Sequence, residues 1–476
     1  MVGWIILVAI IVLVIVLFAR TAANRPREAK GLGLPPYPDA QGAAERLAGA
    51  INFATLSYFD RSKMDLGEFE KLHEYLAVQY PLVHQHLKKE VTDFKSLIYY
   101  WEGRDSELEP IALLAHQDVV PVNRDLWTHD PFVGTIEDGY VYGRGALDMK
   151  GQLIAVLESV ESLLREGFAP ARPVYLLFGS DEEPMGDYGA KKISELLEQR
   201  GVRLHFVLDE GGAIQDGRMM GVDGMVALVG ICEKGILNLR LTAKGASGHA
   251  SMPPKVTAVG ALAKAITAIE NHQMQPEWNY ATRHMFRALS PHMGGAFRLL
   301  FSNLWLFSGL IKKVLSGGRA SAALVRTTFA PTMLDASNAP NVLAGSASCV
   351  FNIRVAPGKT DRDVLAHVER NAPDIAREVI YYYPPSPVSS VETEAFAQVM
   401  QAVRDAFPDM AAAPYPVVAA TDSRHYYNIC DNVFRFVPFP SIAQDIGTVH
   451  GEDERISIDS LGQGIAFYRR VLTGLR

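Results

Sequence analysis

Cysteine is nearly absent from this chain: Cys232, Cys349 and Cys430 are the three it has in 476 residues. An odd number at such wide spacing builds no disulfide framework and matches no CxxC metal site, so the thiols read as small buried apolar groups. Concentrated positive charge is missing too. The 46 lysines and arginines are scattered and outnumbered by 53 acids, for a net charge of −7, which leaves no footprint for nucleic acid. No internal repeat is visible. What remains, 48% hydrophobic and 21% charged residues, is the balance of a folded globular protein long enough for two or three structural units, one inserted in another.

A further absence is local. Val2 to Ala19 carries no charge, and those 18 residues reach about 27 Å as a helix, enough to cross a hydrocarbon core. A buried helix of the soluble domain is the competing reading, but all faces of this run are apolar and it sits alone before a polar stretch. A cleaved signal peptide is the stronger rival, but no basic residue precedes the run and Thr21-Ala22-Ala23 is a weak cleavage site. Residues 1–20 are therefore read as a single-pass membrane anchor. Arg20, Arg25, Arg27 and Lys30 all lie after it, which by the positive-inside rule puts the body of the chain in the cytoplasm. Pro26, Pro35, Pro36 and Pro38 with several glycines mark residues 21–42 as a tether.

Beyond the tether, short β-prone runs alternate with helical patterns: IALLA at 111–115, PVYLLF at 173–178 and HFVL at 205–208, with a helix near 152–166. This is the signature of an α/β sheet with helices on its faces, which binds ligands beyond the carboxyl ends of its strands. Each run leads at once into polar residues, AHQD, GSDEE and DEGG, so those loops should converge. ILNLRLTAKG near 237 and CVFNIR near 354 alternate as half-buried strands do. The predicted layout is a catalytic domain in two parts, 43–236 and 385–476, interrupted by an inserted domain over 237–384. Residues 285–318 of that insertion are unusually apolar.

Zinc takes His nitrogen and carboxylate oxygen and keeps a position open for water in catalytic sites. Two such ions about 3.5–4 Å apart share a bridging carboxylate. The strand ends offer that set. His116 and Asp118 close the first strand, with Asp118 placed where it can orient the ring. Asp148 lies in GRGALDMKG, Glu182 and Glu183 come after the second strand, Asp209 ends the third, and His450 stands in VHGEDE. Each alone is weak, because a strand-end His is more often structural and adjacent acids usually form a solvated face. Falling together where an α/β sheet builds its site, they point to metal-assisted hydrolysis.

From AHQDVVP through YGRGALDMKG, GSDEE, VLDEGG, GASGHAS, NVLAG, TDSRHY and VHGEDE, residues 45–476 resemble the di-zinc family of carboxypeptidase S, aminoacylase, carboxypeptidase G and succinyl-diaminopimelate desuccinylase. The resemblance implies an α/β zinc-hydrolase domain with a central mixed sheet flanked by helices, carrying an inserted ferredoxin-like α+β lid and dimerisation domain. It implies that His116, Asp148 and Asp209 hold one zinc and that Asp148, Glu183 and His450 hold the other, with Asp148 as the bridge. Cobalt or manganese would suit the same ligands in vitro. Glu182 corresponds to the general base, and His249 in GASGHAS to a lid histidine that gives the oxyanion a donor, often across a homodimer. Asn341 and Arg354 match residues that contact substrate, and Arg424 in TDSRHY matches an arginine of the aminoacylase-like and desuccinylase-like branches. A guanidinium fork suits a carboxylate, although a structural ion pair is the competing reading for both arginines and a surface-loop role for His249. Ala419 and Ala420 stand where many relatives have glycine, so this loop departs in shape.

SNLWLF, RTTFAPT and the apolar insertion most resemble the secreted N-fatty-acyl amino acid hydrolase/synthase branch. That implies cleavage, and formation, of the amide bond of N-acyl amino acids, with the insertion lining an acyl channel or simply packing the lid core or a dimer contact. A carboxypeptidase or dipeptidase acting on short peptides is the alternative. An inactive membrane-tethered binding protein is the third reading, and the presence of every ligand and of Glu182 argues against it. Some relatives work outside the cytoplasm, so the side of the membrane stays open.

Overall fold

The computed structural model describes residues 1–26, 31–440 and 444–476, and Ala443 by its backbone alone; Arg27 and Lys30, counted among the charges after the apolar run, lie outside the described residues. The β-prone runs assemble into a nine-stranded mixed sheet. Its order is β1 (Lys88–Val91), β2 (Leu97–Trp101), β6 (Val174–Gly179), β3 (Ile111–His116), β7 (Phe206–Asp209), β17 (Val433–Arg435), β9 (Met225–Glu233) and β16 (Ala411–Val417), with β8 (Ala213–Asp216) paired to β9. β3 runs parallel to β6 and β7, and β17 to β7. Every residue of β3, β6 and β7 is buried, as parallel strands covered on both faces require.

Alternate β3 side chains feed two cores. Ile111, Leu113 and Ala115 face α2 (Ala40–Ile51), α3 (Leu66–Gln79), α4 (Pro81–His86), α5 (Lys150–Arg165), α13 (Glu394–Ala406) and α15 (Ile458–Thr473). Ala112 and Leu114 face α6 (Ala190–Gln199). A small sheet of β4 (Thr135–Glu137), β5 (Tyr140–Tyr142) and β18 (Arg455–Ser457) ties the GRGALD loop to the VHGEDE segment, which comes after α14 (Ala443–Ile446).

A second α+β unit is an antiparallel sheet in the order β12 (Thr328–Asp335), β14 (Ser346–Val355), β10 (Gly235–Lys244) and β15 (Ala376–Tyr383). α7 (Ala258–Asn271) and α12 (Asp361–Asn371) cover one face with their own core. A short pair, β11 (Gly248–His249) and β13 (Val342–Leu343), extends beside it.

Two sequence expectations change here. The apolar run is helix α1 from Val2 to Ala23 rather than to residue 20, and the chain beyond it is no free tether. The backbone amides of Gly33 and Leu34 donate to the Asp405 carbonyl and that of Tyr37 to Gly462, so this proline-rich strap lies along α13 and α15. Likewise the apolar stretch does not fill the second unit. It folds as α8 (Tyr280–Leu289), α9 (Gly295–Ser302), α10 (Leu304–Leu315) and α11 (Arg319–Val325). Met285, Phe286, Leu289, Phe301 and Ile311 pack on Val226 and Leu228 of β9 and Ala411 and Ala413 of β16. The apolar residues cover an outer sheet edge, which local sequence could not distinguish from a lid core.

Candidate metal centre

The polar loops after β3, β6 and β7 do converge. His116 at the end of β3 is 1% exposed, and its Nδ1 lies 2.9 Å from the Asp118 carbonyl, which fixes the ring and leaves Nε2 facing the loops. The Asp118 carboxylate, 3.5 Å from Nδ1, accepts from Ser57 Oγ at 2.6 Å and from the amides of Glu182 and Glu183 at 3.1 and 3.2 Å. Asp118 therefore sets both the ring and the turn that carries the two glutamates.

Asp148 stands at the centre. Its Oδ1 is 3.1 Å from His116 Nε2 and its Oδ2 is 3.1 Å from His450 Nε2, so one carboxylate faces both imidazoles with one oxygen each. Glu183 Oε2 lies 3.1 Å from His450 Nε2. Glu210 Oε1 lies 3.4 Å from His116 Nε2. Candidate ligand atoms gather in two groups, His116, Asp148 and Glu183, and His116, Glu182 and Glu210.

Asp209 is absent from both groups. Its Oδ2 accepts from the Ser423 amide at 2.8 Å on the other side of the strand end, and the carboxylate presented to His116 belongs to its neighbour Glu210. Successive side chains at a strand end point to opposite faces, so only one of the Asp-Glu pair can reach the centre. On this geometry Glu210, and not the expected Asp209, is the carboxylate that faces His116.

The electrostatics call for positive charge. Burial and the nearby Asp148 push Glu210 up to about 8; burial and Asp118 push Asp181 up to about 7. Burial, then Glu210, raises Glu182, and burial raises Glu183 and Asp422 as well. Both Asp422 oxygens are buried without a hydrogen-bond partner. Hydrogen bonds to Asp148 and Glu183 lift His450 to about 10, and carboxylates outweigh burial to raise His116. Carboxylates that cannot all ionise, around imidazoles that would otherwise hold protons, are the donor set of a site for divalent cations.

Glu454, quoted within VHGEDE but given no role from sequence, builds the bridge loop. Its buried carboxylate accepts from Arg144 Nη1 at 2.6 Å and from the amides of Gly145, Leu147 and Asp148 at 3.1, 2.8 and 2.8 Å. These bonds satisfy the turn's donors and aim Asp148 at the centre.

Arg354 and Arg424 meet where the two units join. The Arg424 Nε donates to the Thr421 carbonyl at 2.8 Å and its guanidinium lies 4.8 Å from the Tyr383 ring centre. Arg354 Nε donates to Asn352 Oδ1 at 3.2 Å; burial and the Arg424 charge hold it below its usual range. Nearby Lys234 is brought down to about 7 by burial and by Arg354 and Arg326. The Tyr381 hydroxyl is buried without a partner. Lys234 and Tyr381 carried no motif signal. His249 and Asn341 are brought together on β11 and the turn before β13, where the Ala250 amide donates to the Asn341 carbonyl. His249 is exposed, and its Nδ1 accepts from the Ser251 amide at 3.1 Å, which leaves the ring proton on Nε2. Among the described residues no hydrogen bond or ion pair joins His249 or Asn341 to the carboxylate cluster.

Residues 112–474 match the model of peptidase family M20/M25/M40. A carboxypeptidase S-like protein of Dictyostelium discoideum is 39% identical over 437 residues, covering 90% of this chain and 84% of that protein. The N-fatty-acyl-amino acid synthase/hydrolase of Xenopus tropicalis is 37% identical over 90% of this chain and 85% of its own length, and the human one 33% over 89% and 86%. Among solved structures, an M20 family metallo-carboxypeptidase of Sulfolobus solfataricus superposes with a TM-score of 0.64 at 16% identity, covering 90% of this chain and 98% of its own; at that identity it speaks to the fold.

Proposed function

The chain belongs to peptidase family M20/M25/M40 and is a metal-dependent amidohydrolase, and on that premise we propose that it hydrolyses, and in reverse forms, the amide bond of N-fatty-acyl amino acids with two zinc ions. The observation that carries the chemistry is the Asp148 carboxylate facing His116 and His450 at 3.1 Å each, beside Glu182 and Glu183. In this reading His116, Asp148 and Glu210 hold one zinc and Asp148, Glu183 and His450 the other. When bound, the ions polarise the amide carbonyl and acidify the attacking water.

The chain's own groups do the rest. Glu182 takes the water proton and returns it to the leaving nitrogen; burial among acids disfavours its charged form and so strengthens it as the base that takes the proton. His249 offers its Nε2 proton to the oxyanion from the second unit, which serves as lid and, through its sheet, as the homodimer contact. Arg354 and Arg424, with Asn341, bind the free carboxylate of the amino acid; Arg424 has the Glu233 carboxylate at 3.7 Å, whereas among the described residues Arg354 has no ion pair and faces the Arg424 charge. The fatty-acyl preference is supported by the relatives of that name at 33–37% identity over about nine-tenths of the chain. Helix α1 acts as a single-pass anchor: it is 22 residues long and 18 consecutive residues of it reach a mean hydropathy of 3.3, and its end is bonded to the folded body at Asn24, which supports retention over cleavage.

The test is hydrolysis of N-oleoyl-, N-acetyl- and N-glycyl-phenylalanine by the zinc-loaded protein beside Glu182→Gln. Preference for the oleoyl substrate, abolished in the variant, is expected. Preference for the glycyl substrate would make the protein a peptidase, and full activity in the variant would remove Glu182 from the mechanism.

A further inference from the structure

Helix α1 leaves the body of the protein with nearly all its side chains exposed, but its last turns are fastened to α9 and α10. Asn303, the residue between those helices, donates from Nδ2 to the Leu17 carbonyl at 3.3 Å and to Thr21 Oγ1 at 3.2 Å. Asn24 Nδ2 donates to Ser290 Oγ and Ser302 Oγ, both at 2.8 Å, and its carbonyl accepts from Arg298 at 2.6 Å. The start of α10 is thus held level with residues 17–21, where a helix of this length leaves the hydrocarbon.

The outer face of α10 suits that level. Trp305, Leu306, Leu310 and Val314 recur at helical spacing and are 56%, 42%, 52% and 64% exposed, with Phe297 of α9 at 49%, while Ile311 turns inward to the core. Lys312 and Lys313 close the helix. An apolar stripe with an interfacial tryptophan and flanking lysines is the pattern of a helix lying in the headgroup boundary. Between α1, α8 and α10 opens a cleft of about 930 Å³, lined by Arg20, Arg25, Arg283, Arg287 and Trp305 among others. Among the described residues no carboxylate lines it, and none forms an ion pair with those four arginines.

Resting on the reading of α1 as a membrane anchor, we infer that the end of α1, α9 and α10 together form a face embedded in the membrane interface, whose cationic cleft seats the phosphate-bearing headgroup of an anionic phospholipid. The anchor then does not hold the enzyme on a loose leash; it fixes the orientation of the body against the bilayer.

The experiment uses the full chain in lipid nanodiscs containing phosphatidylglycerol, with a nitroxide label on Leu310→Cys, on Ile11→Cys in α1, or on Met252→Cys, a position 79% exposed on the second unit; the three native cysteines are buried. The labels at 310 and 11 should be shielded from a water-soluble nickel chelate, and the label at 252 open to it. A 310 label as open as that at 252, with the 11 label shielded, overturns the embedded face and leaves the anchor standing; an open 11 label overturns both. In detergent, the full chain should bind dihexanoyl-phosphatidylglycerol in preference to dihexanoyl-phosphatidylcholine, and Arg283→Gln with Arg287→Gln should weaken that binding roughly tenfold or more, with turnover of N-acetyl-phenylalanine unchanged. Equal binding of the two lipids, an unaffected variant, or inorganic phosphate binding as tightly as the lipid would each overturn the headgroup site.

Discussion

Replacing Glu210 with glutamine keeps the side chain's size and removes its charge, while Asp209→Asn does the same one residue earlier; the two variants separate the structural reading of the centre from the one drawn from sequence. Glu210 presents its carboxylate 3.4 Å from His116 Nε2, whereas Asp209 spends an oxygen on the Ser423 amide. Loss of an outer partner of a metal ligand costs about 10- to 100-fold in affinity, so loss of a ligand carboxylate should cost at least about 100-fold, near 3 kcal/mol. In Asp209→Asn the side-chain carbonyl oxygen can still accept the Ser423 amide, and the expected cost is about 1 kcal/mol of stability with little change in metal binding. The assay is metal content after dialysis against graded zinc buffers, with hydrolysis of an N-acyl amino acid measured on the same samples. Glu210→Gln should lose one equivalent of zinc at concentrations that saturate the native protein. If Asp209→Asn loses that equivalent and Glu210→Gln retains both, the geometric assignment is wrong.

Glu454→Gln should destabilise the fold by about 3–5 kcal/mol in urea denaturation, because it leaves the buried Arg144 guanidinium without its counter-charge, and kcat should fall with it as the Asp148 loop loosens. Arg354→Met and Arg424→Met should each raise KM for an N-acyl amino acid about tenfold or more while its amide analogue, lacking the carboxylate, is nearly unaffected; equal effects on both substrates would make the arginines structural. Burial holds His73 down to about 4 from the usual 6.5, so its contribution to stability is complete above about pH 6.5 and is lost as pH falls toward 4. Relative to His73→Gln, the native protein should therefore lose about 3 kcal/mol between pH 7 and pH 4 in urea titrations; a constant difference would refute this. Chelation of the metal should lower Tm and zinc should restore it, by about 2.7 kcal/mol for each site loaded at 100 times its Kd.

Much of this was legible in the chain itself. Short runs dominated by apolar residues, each leading at once into polar ones, sufficed to predict β3, β6 and β7 and the convergence of their loops, because a strand buried on both faces keeps its polar residues to its ends, as His116 and Asp209 show. The uncharged run from Val2 to Ala19 likewise declared a helix with no polar face. His116, Asp148, Glu183 and His450 were readable as one group because their spaced motifs occur together.

What the sequence could not decide depended on direction and on distant packing. Asp209 and Glu210 are chemically interchangeable in a string, and only the side of the strand end on which each carboxylate emerges separates them. Glu454 reads as one acid among several in VHGEDE until its four donors are in view. The stretch around SNLWLF has the composition of a core wherever it lies; that it covers the β9 and β16 edge with one face, and meets α1 near its other, was decided by contacts distant in sequence, 286 residues apart for Asn303 and Leu17. Local pattern fixes which residues want burial or charge compensation, and tertiary structure alone fixes what compensates them.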